Sequence, residues 1–363
     1  MQLGAGNLTL LPVDLLLGAA FFVFGLAFGS FLNVCIHRMP RRILARDELD
    51  DLETQVAADS ALHGILGPRI GELREQVRRL SVASGRSFCP HCRLQIAWYD
   101  NLPLLSWLAL RGRCRRCAAP ISPRYFLVEL LTGLLFLACF ARFGLTFTTA
   151  KLCVLSFLLL GLIFTDAEHK LLPDALTLPG LALGLVISVF EPVHDFAVGF
   201  FALFIAPRFM PAGESLVQGG WRWVSLGESA LGALVGAAFI YGVGVMYLRA
   251  RGVEGMGLGD VKLMAMVGAF LGVALTVFTL FAASLLASVF GLGLVLSVWW
   301  QRTRRRMVRR RESASLARRR AWKSALVVYQ RLPIPFGVFL GGVALLAAFF
   351  GNTLIRWYWY RFL

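Results

Sequence analysis

The chain has 363 residues, a net charge of +16 and a hydrophobic content of 58%, and its mean hydropathy is +0.69. Charged residues make up only 16% and cluster between long apolar runs, which excludes an ordinary soluble domain and points to a polytopic membrane protein. A pI near 10.3 would suggest nucleic acid in a soluble protein. Here Lys and Arg collect between apolar spans, where cytoplasmic exposure and anionic lipid account for them, so no nucleic-acid partner is expected.

A bilayer core takes about 20 apolar residues of helix. No basic residue precedes the first apolar run, so the N-terminus does not read as a cleaved signal peptide. Leu15 to Ile36 is the first expected span, followed by a polar stretch from His37 to about Pro123. Tyr125–Phe140, Leu152–Thr165, Ala175–Phe190 and Ser229–Leu248 are spans two to five. Leu263 to Trp300 is an uncharged run of 38 residues. As one helix it would measure about 57 Å against a core of about 30 Å, so it must fold back and supply two spans. Ile334–Ile355 is the last. The expected fold is therefore all-α, with about eight transmembrane helices.

The Arg-rich stretches His37–Pro123 and Arg302–Arg320 are expected on the cytoplasmic side. Eight spans place both there, with the two termini outside. Phe196–Ala206 is apolar but short. It is read as a re-entrant or interfacial piece of an exterior excursion, Glu191–Gly227, because a full span there would invert everything after it. Asp47 to Arg79 alternates acidic and basic residues and is read as a solvated helix without chemistry.

Cys89-x-x-Cys92 and Cys114-x-x-Cys117 are separated by 21 residues. Two such pairs supply four thiolates to a tetrahedral zinc, and the spacing argues for metal on a reducing face, not for a secreted disulfide framework. His91, between the first two, is an alternative ligand. A small cytoplasmic zinc-ribbon-like domain is thus expected between helices one and two. The expected division is a first membrane helix over 1–37, this cytoplasmic domain over 38–123, and a membrane domain over 124–363.

Ionisable residues at membrane depth are expensive and usually functional. Asp166 closes span three and Asp260 opens span six, 94 positions later. The eight-span topology puts both at the cytoplasmic boundary. Two carboxylates that approach closely share one proton, so one activates water while the other protonates the departing group. That is aspartyl protease chemistry. Gly255, Gly257 and Gly259 leave room for an extended peptide backbone to approach. Pro173 disfavours helix at Leu172, so the chain leaves its helix soon after Asp166. Asp174 reads as a helix cap, and Glu168 and His169 as exposed.

These motifs resemble the bacterial type IV prepilin peptidases, a family of bifunctional leader peptidases and N-methyltransferases of the GxGD type. The ordered blocks begin with Gly29-Ser30-Phe31-Leu32-Asn33-Val34 and His37-Arg38-Met39-Pro40. The two Cys pairs follow, with Asn101 to Leu108 between them and Arg111-Gly112-Arg113-Cys114 closing the region. Then come Ile121-Ser122, Arg124-Tyr125, Leu127 to Leu130, Asp166 to Asp174, Gly257-Leu258-Gly259-Asp260 and Ile334-Pro335-Phe336-Gly337. After that last block the family often has Pro, where this chain has Val338.

The resemblance implies cleavage of the leader of type IV prepilins and pseudopilins at the cytoplasmic face of the bacterial inner membrane. It implies N-methylation of the new terminus with S-adenosylmethionine as donor. Asp166 and Asp260 correspond to the family's catalytic pair, and the four cysteines to its methylation-associated domain. No glycine-rich nucleotide fingerprint marks the methyl-donor site. Alternatives are a peptidase alone with a structural zinc domain, or a membrane scaffold or transporter. The absence of repeats and the boundary position of the acidic residues disfavour the transporter.

Overall fold

A computed structural model describes residues 12–59, 62–82, 87–89, 91–191, 221–253, 257–310, 313–331 and 335–351, with Thr353, Leu354, Trp357 and Arg361 beyond them. Phe196–Ala206 and most of the Glu191–Gly227 excursion lie outside the described residues, as does Ile334. Among the described residues there are helices and two isolated β-bridges, with no extended strand. The all-α expectation is met.

The helices are α1 (Pro12–Ala58), α2 (His63–Arg79), α3 (Leu105–Ala109), α4 (Pro123–Phe143), α5 (Phe147–His169), α6 (Asp174–Phe190), α7 (Trp221–Arg251), α8 (Leu258–Arg310), α9 (Ala314–Arg331) and α10 (Phe336–Leu346). α1, α4, α5, α7 and α8 are long and apolar enough to cross a membrane; α6 and Phe336–Gly351 are shorter apolar helices. The chain forms two compact units. One comprises Met1–Thr165 with Pro173–Gly180; the other comprises Asp166–Leu172 with Leu181–Leu363.

In the first unit α1 does not stop where its apolar half ends. It continues through Pro40 to Ala58, about 70 Å at helical rise. The charged stretch is not the single solvated helix expected. Its end of α1 and the whole of α2 pair through an apolar seam of Ala45, Leu49, Ile70 and Leu73, flanked by Leu52, Val56, Leu66 and Val77. Alternating charges hid this seam because the buried residues are few and scattered among them. Arg69–Glu48 and Arg74–Glu53 bridge the two helices at 2.8 Å each. All four side chains are well exposed, so each bridge is worth about 0–1 kcal/mol and the seam does more to hold the pair. Nearer the membrane half, Gly29 packs so closely on α4 that a Cβ would lie 2.7 Å from the Glu129 Cα.

In the second unit α7 and α8 pack backbone to backbone. Gly232 and Gly268 touch, and a Cβ on Gly236 would meet the Met264 carbonyl oxygen at 2.5 Å and Thr276 Cγ2 at 3.1 Å. Met264 and Thr276 would be about 18 Å apart in a continuous helix. Their convergence on one glycine shows that the chain doubles back between them. The reversal is at Gly272, whose φ of 75° is in the left-handed region that glycine enters without a Cβ penalty. The long apolar run therefore folds back as expected, but early. Residues 258–271 form a short arm of about 21 Å and residues 273–310 a long one. Ser229 Oγ donates to the Ala269 carbonyl at 2.6 Å, fixing the end of the short arm to α7.

The Arg-rich region is helical on both sides of residues 311–312. α9 lies along the long arm of α8: Ala317, Ala321 and Ala325 are buried at four-residue spacing. Trp299 Nε1 donates to the Arg318 carbonyl at 3.1 Å.

Because small residues set the α7–α8 distance, Gly232→Leu is expected to lower the unfolding midpoint in detergent micelles, at a cost of about 1–3 kcal/mol. Gly242, on the same helix, has open space around it, so Gly242→Leu serves as the control and should melt like the parent. Equal midpoints for the two variants would contradict the packing account.

Candidate active site and metal centre

Asp166 lies in the last turn of α5, with only 6% of its surface exposed. The helix ends just after it. Lys170 N–H bonds back to the Asp166 carbonyl at 2.9 Å, and Lys170 takes a φ of 54°. Leu171, Leu172 and Pro173 then leave the helix, and α6 starts at Asp174. This is the exit that Pro173 led us to expect. Asp174 begins α6 and fits the cap reading.

Asp260 sits in the first turn of α8, its N–H bonded to the Gly257 carbonyl at 3.2 Å. It is half-buried and close enough to Asp166 to feel the charge of that carboxylate. The third contributor is the start of α10. Val338 N–H donates to Asp166 Oδ2 at 3.0 Å. Gly337 makes that approach possible, since a Cβ there would lie 2.9 Å from the same oxygen. Leu172 fills the space between the three segments. Its side chain lies 3.0 Å from where a Cβ on Gly259 would be and 3.3 Å from the equivalent point on Gly337.

The second cluster is the cysteine set. In each pair the chain folds the same way: Cys89 N–H donates to Leu94 O and Arg93 N–H to Cys89 O, while Cys114 N–H donates to Ala119 O and Ala118 N–H to Cys114 O, all at 2.9 Å. Arg93 and Ala118, each just after its second cysteine, carry φ of 58° and 54°. An antiparallel bridge closes each knuckle, Phe88 with Gln95 and Arg113 with Pro120.

The four sulfurs lie within 4.8 Å of one another, and Cys89 and Cys117 are 3.8 Å apart. That is far beyond a disulfide and close to the edge of a tetrahedron with metal–sulfur bonds of about 2.3 Å. The backbone N–H groups of Cys117 and Arg116 pull the Cys114 thiol down to about 7. His91 is exposed and stands outside the cluster. Arg115 and Asp100 brace the second knuckle at 2.6 Å.

The Bacterial Peptidase A24 N-terminal domain family matches residues 23–143, and the Type IV leader peptidase family matches residues 153–292. A prepilin leader peptidase/N-methyltransferase of Aeromonas hydrophila is 34% identical over 342 residues, covering 94% of this chain and 93% of its own. One of Stutzerimonas stutzeri is 36% identical over 74% of this chain and 78% of its own. One of Pseudomonas aeruginosa is 30% identical over 92% and 90%.

The chain belongs to the type IV leader peptidase family.

No solved structure matches it. In this leader peptidase the sequence reading named Asp166, Asp260 and the four cysteines, and the fold brings each set together. The glycines are divided. Gly255 lies outside the described residues. Gly257 is exposed with open space beside it, whereas the space beside Gly259 is taken by Leu172. Glu168 is exposed, and His169 lies 3.8 Å from it. The reading missed the Val338 amide and the role of Leu172. The block Pro335-Phe336-Gly337 was the available signal, but a backbone N–H leaves no trace in residue type.

The matched knuckles lead to a direct test. Protein purified without chelator should carry about one zinc per chain by elemental analysis. Cys89→Ser combined with Cys117→Ser should remove it. Full metal content in that double variant would exclude the cluster as the site.

Proposed function

We propose that this leader peptidase cleaves the leader from type IV prepilins and pseudopilins with Asp166 and Asp260 as an aspartyl dyad, and then methylates the new N-terminal residue. The observation that carries the reading is the meeting of two carboxylates from opposite kinds of helix end. One closes α5 and the other opens α8, and Asp260 is within reach of the Asp166 charge. Such a pair holds one proton between its members, and it hydrolyses a peptide with neither metal nor nucleophilic Ser or Cys. The names of the relatives, each a prepilin leader peptidase/N-methyltransferase, supply the substrate class and the second activity.

S-adenosylmethionine is the methyl donor this second activity calls for, because it delivers a methyl group to a neutral amine. Zinc in the four-cysteine site is structural: all four positions are filled by sulfur, leaving none for water or substrate. The cysteine domain over 38–123 is assigned to the methylation half, and 124–363 to the peptidase. The Arg-rich stretches support a cytoplasmic position for the loops and for the dyad, in a bacterial inner membrane. The basic segments contact anionic lipid, since a basic prepilin leader would be repelled by them.

Asp166→Asn and Asp260→Asn should each lower prepilin cleavage by about 10²–10⁴-fold or more, while melting and metal content stay at the parent's values. Cleavage followed on gels with purified protein in micelles decides this. A normal rate in either variant would sink the dyad. The double Cys→Ser variant should impair methylation, read as the missing methyl group in the mass of the processed pilin. Full methylation by the zinc-free protein would separate the two centres.

A further inference from the structure

We propose that Leu102–Leu110 of the cysteine domain is a membrane-inserted loop, with Trp98, Leu102, Leu105 and Leu108 as its face toward lipid acyl chains. The domain is then docked in the bilayer surface, not suspended beside it. The inference stands apart from the dyad and needs only α4 in the membrane.

The stretch differs in composition from the rest of its domain. Asp100 and Arg111 bracket ten uncharged residues, Asn101 to Leu110, six of them Leu or Trp. Such a run is too short to span and suits an interfacial or re-entrant piece. It folds as a tight loop followed by α3. Trp107 packs its ring against Phe126 of α4, with 5.2 Å between centroids. Leu105 and Leu108, one turn apart on α3, remain 66% and 55% exposed, and Trp98 is 70% exposed. Leu102 is exposed as well. Single apolar residues on a surface are ordinary, but four large ones on so short a segment need a cover.

Two contacts with α4 set the depth. α4 has 21 residues, about 31 Å against a bilayer core of about 30 Å, so its first residue lies at one face of that core. Glu129 is six residues in, about 9 Å from the face. Its Oε2 accepts the Leu104 N–H at 2.9 Å. Helix side chains lean toward the N-terminus, which lifts the carboxylate by less than a turn, so Leu104 still lies below the face. Phe126, the partner of Trp107, is about 4.5 Å in and gives the same level.

The hydrogen bonds fit a dry setting. Leu104 precedes the first residue of α3 and takes a φ of 58°. Its N–H has no carbonyl to bond within the helix. In solution water would take that N–H, but here a carboxylate only 9% exposed takes it. Irregular backbone at membrane depth persists only where protein groups satisfy it. The rest of the loop complies. Ser106 N–H and Oγ both donate to the Leu102 carbonyl, at 3.1 and 2.7 Å, and Leu108 N–H donates to the Leu104 carbonyl at 3.0 Å.

Lipid is the occupant this face fits. At the same level α4 exposes Leu127, so the apolar surface continues onto a helix that is itself in lipid. Trp98 and Tyr99 stand at the polar edge of the loop, and such amphipathic rings favour the membrane–water boundary. Asp100 beside them is paired with Arg115 at 2.6 Å.

Photocrosslinking tests the insertion, with benzoylphenylalanine in place of Leu105 in the full chain and in place of Ile65 as control. Ile65 is 74% exposed. α2 returns toward the membrane, where Arg38 Nη1 donates to the Ser81 carbonyl at 3.0 Å, so Ile65 near its start is about 20 Å farther out. In vesicles of phosphatidylethanolamine and phosphatidylglycerol, position 105 should gain phospholipid at about fivefold or more the yield at position 65, read from the mass of the intact protein. Equal yields overturn the proposal. So do crosslinks at 105 that go only to a second copy of the chain or to an added prepilin. A second measurement covers a labelled protein that does not fold. The fluorescence lost in Trp98→Phe gives the emission of Trp98. Brominated acyl chains should quench that emission about twofold or more, and aqueous acrylamide should leave it nearly unchanged. Quenching by acrylamide without quenching by bromine overturns the proposal.

Discussion

A buried carboxylate needs a hydrogen-bond donor, and at the end of a membrane helix bulk water does not supply one. Asp166 meets that need with the amide of Val338. Much of the second unit follows from this contact. The chain must bring the start of α10 to the end of α5, so the residue before the donor must lack a side chain, and Gly337 does. The segment leaving α5 must turn away at once, which the left-handed Lys170 and the Leu172-Pro173 step achieve. Leu172 then occupies the gap where the Gly259 and Gly337 segments converge, so the same short exit both frees Asp166 and packs its surroundings.

The position of Asp260 depends on a different device. Between membrane helices the hydrophobic effect offers little net attraction, and close backbone approach takes its place. Gly232, Gly236 and Gly268 permit that approach between α7 and the short arm of α8. The reversal at Gly272 keeps the short arm to about 21 Å, less than a bilayer core. Asp260 thus starts a helix whose far end is fixed by Ser229 and by the turn itself, and a carboxylate on such an anchored segment holds its place relative to its neighbours.

The first unit stabilises its polar region by other means. The α1–α2 hairpin closes a narrow seam of four buried apolar residues with flanking Leu and Val. The cysteine knuckles have almost no apolar core. They repeat one backbone pattern twice, with each thiolate pair presented by a tight turn, and a metal ion is the natural centre for such a fold, because ligand binding replaces the core that a short segment cannot build.

The sequence by itself determined the helical class, because only helices satisfy the backbone of long uncharged apolar runs in lipid. It singled out the two aspartates as candidates, because acids are rare at such positions, and the four cysteines, because metal spacing is local. It also required the 38-residue run to fold back, since length alone forbids a single span. Only the tertiary structure decided where that run reverses, because glycines are frequent along it and the choice depends on which one meets a neighbouring helix. The same holds for the α1–α2 seam, whose few apolar residues are scattered among charges and gain meaning only when paired. The donor to Asp166 is the clearest case. Every residue but proline carries an N–H, so residue type could not single out Val338, and only the arrival of α10 at the end of α5 made that amide part of the site.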